Sequence, residues 1–235
     1  MRMIGFVIIA PPFSYGAFPM RIKGMFALAL ALAVAPKTTP GHELLTTSGF
    51  IAQMLAELLT GFTLGFIIFA VFAAVQSAGA MIDMFSSLQM ASAFDQSLKT
   101  NSSPFSRLFQ MSAMLLLFAT GSYQLLILGL AKTFDSIPLG QGLPPAESAQ
   151  AAIQATGFML IAMVQIAGPI VLVLVLTDIA LGLITRVAPS LNAFALGMPL
   201  KILITLSVLA ISFTSMPGII DQLTAKSINI MSEGG

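Results

Sequence analysis

Residues 50–75 read FIAQMLAELLTGFTLGFIIFAVFAAV. Apart from Gln53, Glu57 and a few threonines the stretch is apolar, and it exceeds the roughly 20 residues that a helix needs to cross a bilayer. Helical character extends to about Met90. Forty helical residues would be about 60 Å long, whereas a bilayer core is only about 30 Å thick. Either this helix breaks near Gly79, or it is not confined to the bilayer. Gly61 and Gly65, Ala70 and Ala74, and Ala74 and Ala78 are each four residues apart. Small residues at that spacing let helix backbones approach closely, although a chain rich in Ala and Gly produces such pairs by chance as well.

The rest of the chain has the same character. Of its 235 residues, 57% are hydrophobic and 8% charged, against about 25% charged in a soluble domain. Mean hydropathy is +0.97. These values exclude an ordinary soluble globule and a disordered chain. A net charge of +1 leaves no basic face for nucleic acid. Cysteine is absent, and with it disulfides, thiol nucleophiles and cysteine-based metal sites. The single histidine, His42, sits in a polar loop. It excludes a zinc site built on several imidazoles and leaves no visible nucleophile–base pair. The composition points to an all-α, hydrophobic, membrane-associated protein whose task is packing, conduction or assembly. No catalysis and no cofactor are expected.

On the N-terminal side of residue 50, Met3 to Ala10 is apolar, preceded by Arg2 and followed by Pro11-Pro12. It is too short to span a bilayer, and its brevity predicts that Met1 lies inside a longer helix, cut by a misassigned start or by truncation of the chain. Met25 to Ala35 is also short, with Arg21 and Lys23 before it and Lys37 after it. It reads as a buried helix or as half of a re-entrant hairpin with the first. On the C-terminal side, Asp95 to Ser103 forms a polar interval. Ser103 as N-cap and Pro104 as first helical residue announce a helix from Phe105 to about Lys132. Residues 133–148, rich in Pro and Gly, form a loop. A helix then runs from Ala146 to about Thr185, kinked at Gly168-Pro169, and another from Leu191 to Phe213. The tail from Pro217 holds a short amphipathic helix. The overall expectation is long kinked helices and helical hairpins. Lys and Arg are spread too thinly for the positive-inside rule to fix an orientation.

Glu57, Asp178 and Lys201 interrupt apolar runs. A charge at a membrane helix centre costs about 2.5–3.5 kcal/mol, so each needs a partner, water or protonation. In an antiparallel hairpin Asp178 and Lys201 lie at similar depths, so Asp178 pairs with Lys201 or with Arg186. Such a pair fixes hairpin register or belongs to a proton relay, and the scarcity of titratable groups favours register. Met81, Met84 and Met90 cluster with Phe85 and Phe94 just before the polar interval. Methionine adapts its shape, so the cluster is core packing or a deformable constriction around a passing chain.

The segment from Asp178 to Lys201 carries a long pattern, Leu-Gly-x-x-x-Arg-x-x-Pro-x-x-Asn-x-Phe-x-x-Gly-x-Pro-x-Lys. It falls on Leu181, Gly182, Arg186, Pro189, Asn192, Phe194, Gly197, Pro199 and Lys201. With Ala10-Pro-Pro-Phe13, the run from Glu57 to Gly65 and Ile137-Pro-Leu-Gly140, it resembles the FliR/SctT family of type III secretion export-apparatus subunits over essentially the whole chain. Gly197-Met-Pro199 looks more like the flagellar branch than the virulence injectisome branch. The resemblance implies a subunit of the flagellar export gate in the bacterial inner membrane and basal body. It would assemble with FliP- and FliQ-like subunits, with FlhB- and FlhA-like components nearby, among membrane lipid, and pass unfolded export substrates. It implies a FliP-like part over residues 1–150 and a FliQ-like hairpin and tail over 151–235. It also implies a plug over 91–105, with Met90, Ala93, Phe94, Asp95, Lys99 and Phe105 as plug or gating residues. Two departures stand out. Met90 and Ala93 occupy positions where the family often has Phe, and Thr120-Gly121-Ser122 stands where many members have Asn-Gly-His. No phosphate-binding loop is present, so transport energy comes from elsewhere. The rival reading from the residues alone is a small multi-spanning transporter with a midplane site around Glu57 or Asp178.

Overall fold

The computed structural model describes residues 1–14, 18–35, 46–88, 103–188 and 193–233. The regular elements among these residues are all helices, without a strand among them. The helices are α1 (Arg2–Ile9), α2 (Met20–Val34), α3 (Thr47–Phe85), α4 (Pro104–Ala119), α5 (Ser122–Ser136), α6 (Pro145–Val187), α7 (Ala193–Ser212) and α8 (Met216–Glu233), with a 3₁₀ turn at Phe213–Ser215. The all-α expectation holds. Three described stretches are long and apolar enough to cross a membrane: Thr47–Phe85, Pro145–Val187 and Gly197–Met231.

Several expected boundaries shift, each for a local reason. The helix starting with residue 50 runs unbroken past Gly79, because that glycine serves a close helix contact and not a bend. The helix expected from Phe105 to Lys132 is two helices. Gly121 adopts φ +76°, a left-handed conformation open to glycine at no steric cost, and the ladder restarts at Ser122. The loop expected over 133–148 shrinks to 137–144, since α5 continues to Ser136. Pro169 and Pro199 lie inside α6 and α7 without ending them.

The chain folds as two compact units that interleave along the sequence. The first comprises residues 1–72, 117–159 and 221–235, and the second residues 73–116 and 160–220. In the first unit α1 packs against α2, and Phe6, Val7, Leu64, Ile68, Leu126 and Leu130 are buried. In the second, Val75, Ile82, Phe109, Ala113, Ile170 and Leu174 are buried, and Phe109 meets Phe213 edge to face with ring centroids 6.0 Å apart.

Candidate functional site

Among the described residues the most densely bonded charge is Arg2, at the start of α1 and 1% exposed. Its Nε donates to Glu57 Oε2 at 2.8 Å and its Nη2 to Glu57 Oε1 at 3.0 Å, a forked pair with α3. Nη1 donates to the Thr133 carbonyl at 3.0 Å and to Thr133 Oγ1 at 3.4 Å, and Nη2 also donates to the Ile137 carbonyl at 3.0 Å. A guanidinium has five N–H donors, and all five are used. The Phe134 ring covers its face, 4.1 Å from centroid to Cζ. Such complete satisfaction is what lets a charge stay in a dry interior.

Glu57 carries the network onward. Its Oε1 accepts from the Gly140 amide at 2.9 Å, and one turn later Thr60 Oγ1 accepts from the Leu143 amide at 2.7 Å. The turn after α5 is thereby fastened to α3. Gly140 and Gly142 take φ +93° and +61°, and a side chain at Gly142 would strike Ala56 at 2.7 Å. Arg2, Glu57, Thr60, Thr133 and the 137–143 turn form a single node within the first unit.

α1 reaches this node because glycine lines its crossing with α3. A Cβ on Gly61 would lie 2.1 Å from the Arg2 carbonyl oxygen, one on Gly5 2.6 Å from the Leu58 carbonyl oxygen, and one on Gly65 3.0 Å from the Phe6 carbonyl oxygen. The small-residue spacing at Gly61 and Gly65 thus marks a real backbone-to-backbone contact. Ala70, Ala74 and Ala78 are fully buried as well.

In the second unit Asp83, near the end of α3, is fully buried. Its Oδ1 accepts from the Phe105 amide at 3.1 Å and its Oδ2 from the Ser106 amide at 2.9 Å. The first turn of α4 therefore receives its cap from another helix. Ser106 Oγ donates to the Gln76 carbonyl at 3.2 Å.

Lys201 Nζ pairs with Asp178 Oδ1, joining α7 to α6. The pair borders a cleft of about 290 Å³ lined also by Ser87, Leu181, Gly182, Thr185, Gly197 and Met198. The Asp178 side chain is 48% exposed and that of Lys201 13%. A half-exposed pair contributes about 0.2–1 kcal/mol. Changing Lys201 to Met is therefore expected to lower the stability of the detergent-solubilised chain by no more than about 1 kcal/mol; a larger loss in its denaturation curve would show that the pair is dry.

The other residues singled out in the sequence are placed as follows. Phe105 is buried in the first turn of α4, at 6% exposure. Arg186 is exposed in the last turn of α6, where a cation complements the helix dipole. As buried charges, Glu57 holds that place in this chain, while Asp178 and Arg186 are exposed. Gly182 faces open space, Gly197 touches Leu181, and Pro199 is exposed. Met90, Ala93, Phe94, Asp95, Lys99, Pro189, Asn192 and His42 lie outside the described residues. Arg2 and Asp83 are the two consequential residues that sequence reasoning passed over. Arg2 stands immediately before the apolar run 3–10, and Asp83 is a single charge near the end of a long apolar helix; neither position by itself says what the charge bonds to. No group of His, Asp or Glu that could hold a metal ion occurs among the described residues.

Comparison with known proteins agrees with this architecture. A family model described as bacterial export proteins, family 1, matches residues 1–227. The flagellar biosynthetic protein FliR of Escherichia coli K12 is 29% identical over 99% of this chain and 89% of its own length. FliR of Aquifex aeolicus is 30% identical over 90% and 82%. The secretion system apparatus protein SsaT of Salmonella typhimurium is 30% identical over 70% and 64%. A buried charge node, glycine-lined crossings and long apolar helices thus belong to a chain matched almost end to end, and this chain is a member of the bacterial export proteins, family 1, the FliR/SctT family of type III secretion export apparatus.

Proposed function

We propose that the chain is a subunit of the flagellar type III export gate, assembled with FliP- and FliQ-like subunits in the bacterial inner membrane at the flagellar basal body. There it shapes a conduit for unfolded export substrates and performs no catalysis. FlhA- and FlhB-like components are its further neighbours. Residues 1–150 form its FliP-like part and 151–235 its FliQ-like part.

The observation that carries this reading is the exposed apolar surface of α6. Ile153, Leu160, Leu172, Leu183 and Val187 all stand at least half exposed. Between the first and last of them the helix rises about 51 Å at 1.5 Å per residue. A hydrocarbon core of about 30 Å does not cover that length, even at a tilt of 40°. Part of the surface therefore needs protein against it, which favours an assembled subunit over a lone transporter. The rival site at Glu57 is also occupied, since both carboxylate oxygens are committed to Arg2 and Gly140.

The flagellar branch is favoured over the injectisome branch because the flagellar relatives match over more of their own length, 89% for the E. coli protein against 64% for SsaT. The test is native mass spectrometry of the detergent-extracted chain co-expressed with the FliP- and FliQ-like proteins of the same genome. One large complex with a single copy of this chain is the expected result. A monomer or homo-oligomer that ignores both partners would return the transporter reading.

On this reading the segment 91–105 is the plug of the channel. Deleting residues 95–103 is expected to raise ion leakage through the assembled gate, measured as membrane depolarisation in cells. Unchanged leakage in a fully assembled complex would remove the plug assignment.

A further inference from the structure

The contact between the end of α3 and the start of α4 has more bonds than the connection of two helices requires. Asp83 is fully buried, with one amide on each carboxylate oxygen. An ionised carboxylate accepting two backbone N–H bonds at a helix N-terminus is stabilised by charge-assisted hydrogen bonding and by the helix dipole together. Asp83 is held in turn, because Ser86 Oγ donates to its carbonyl at 3.1 Å. One turn earlier on α3, Gly79 leaves its Cα bare against the α4 backbone. A Cβ there would stand 2.6 Å from the Phe105 carbonyl oxygen and 2.7 Å from the Ser106 Cα. The Ser106 hydroxyl closes the contact from the α4 side onto the Gln76 carbonyl.

Gln76, Gly79 and Asp83 recur at spacings of three and four and so share a face of α3. All three are engaged with the same two residues, Phe105 and Ser106. Pulling α4 away would strand a buried carboxylate and two amides without partners at once. Rotation of the α4 side chains cannot relieve this, because the two donors to Asp83 and the Gly79 contact are backbone.

We infer that Asp83 is a positioning residue that locks the first turn of α4 onto α3, so that Phe105 and Ser106 belong to the fixed frame of the export subunit and do not move when a substrate passes. The inference deepens the export reading by drawing a line through the proposed plug: its C-terminal end, at Phe105, is anchored.

Residue-resolved amide hydrogen exchange on the assembled complex tests this, idle and with an export substrate arrested by a fused, folded domain. The Phe105 and Ser106 amides are expected to be equally protected in both states. In the Asp83→Ala variant they are expected to exchange roughly 100-fold faster or more, as two bonds to a charged acceptor disappear. Asp83→Asn, which keeps one acceptor oxygen in place, should fall between and serves as the readout if the alanine variant does not assemble. Loss of protection at these two amides upon substrate arrest overturns the inference, and so does unchanged exchange in Asp83→Asn. Failure to arrest any substrate in a complete complex counts against the export reading alone, because the exchange difference between wild type and variant is read without a substrate.

Discussion

Replacing Arg2 with alanine is expected to lower the unfolding free energy of the detergent-solubilised chain by about 3–5 kcal/mol, the usual result of removing one partner from a buried ion pair. The reason lies in what remains. Glu57, only 7% exposed in the intact chain, keeps just the Gly140 amide, while the Ile137 carbonyl loses the guanidinium donor and the Thr133 carbonyl is left with the Ile137 amide alone. Arg2→Lys should recover little of the loss. An ammonium has three donors and no planar fork, so it cannot serve the forked carboxylate and two carbonyls together. Changing both partners, Arg2→Met with Glu57→Met, should be milder than either single change, since no uncompensated charge is left. Chemical denaturation of Arg2→Ala, Arg2→Lys, Arg2→Met, Glu57→Met and the double variant measures this. Equal stability of Arg2→Ala and wild type would mean that water reaches the node.

Gly61→Leu is expected to be the most damaging single substitution in the first unit, costing about 3 kcal/mol or more. Even a methyl group at that position would sit 2.1 Å from the Arg2 backbone oxygen, and backbone cannot swing aside as a side chain tip can. Relief requires α1 to back away from α3, which draws Arg2 out of reach of Glu57. The crossing and the ion pair should therefore fail together, and Gly61→Leu should be strongly non-additive with Arg2→Ala. Gly65→Ala meets the Phe6 carbonyl oxygen at 3.0 Å and should be less severe. Gly24 and Gly157, with nothing within 4 Å, supply controls: alanine at either should be neutral or should stabilise the helix by up to about 1 kcal/mol. A Gly61→Ala variant as stable as Gly24→Ala would refute the close crossing.

The helices were largely legible because an apolar run bounded by Pro, Gly and polar residues has few other outcomes. Residues 50–75 announced α3, and Pro104 marked the start of α4 to the residue. The break at Gly121 was not legible. Glycine inside an apolar stretch is as compatible with a helix interior as with a left-handed restart, and only the surroundings decide. Glu57 was recognisable as a charge needing a partner, but its partner lies 55 residues away, beyond anything local periodicity reports. Asp83 was overlooked because a carboxylate near the end of a helix reads as ordinary solvent-facing polarity. Its work as a cap for a helix that begins 21 positions later depends on tertiary packing. The Asp178 and Lys201 depths could be compared because a short hairpin connects them, and they do meet.

The Arg2 node also sets a timetable for biosynthesis. Its farthest bond joins residues 135 apart in the chain. At about 5–20 residues per second, the ribosome reaches Ile137 roughly 7–27 s after making Arg2. Throughout that interval the guanidinium has at most Glu57 available, and the carbonyls that complete its shell do not yet exist. The newly made α1 must wait at a wet or lipid-headgroup surface, where a lone cation is tolerated. It can settle into its glycine groove only after α5 has emerged. Closure of the first unit is therefore a late event in synthesis, and a nascent chain truncated before residue 133 should leave α1 accessible to a water-soluble label.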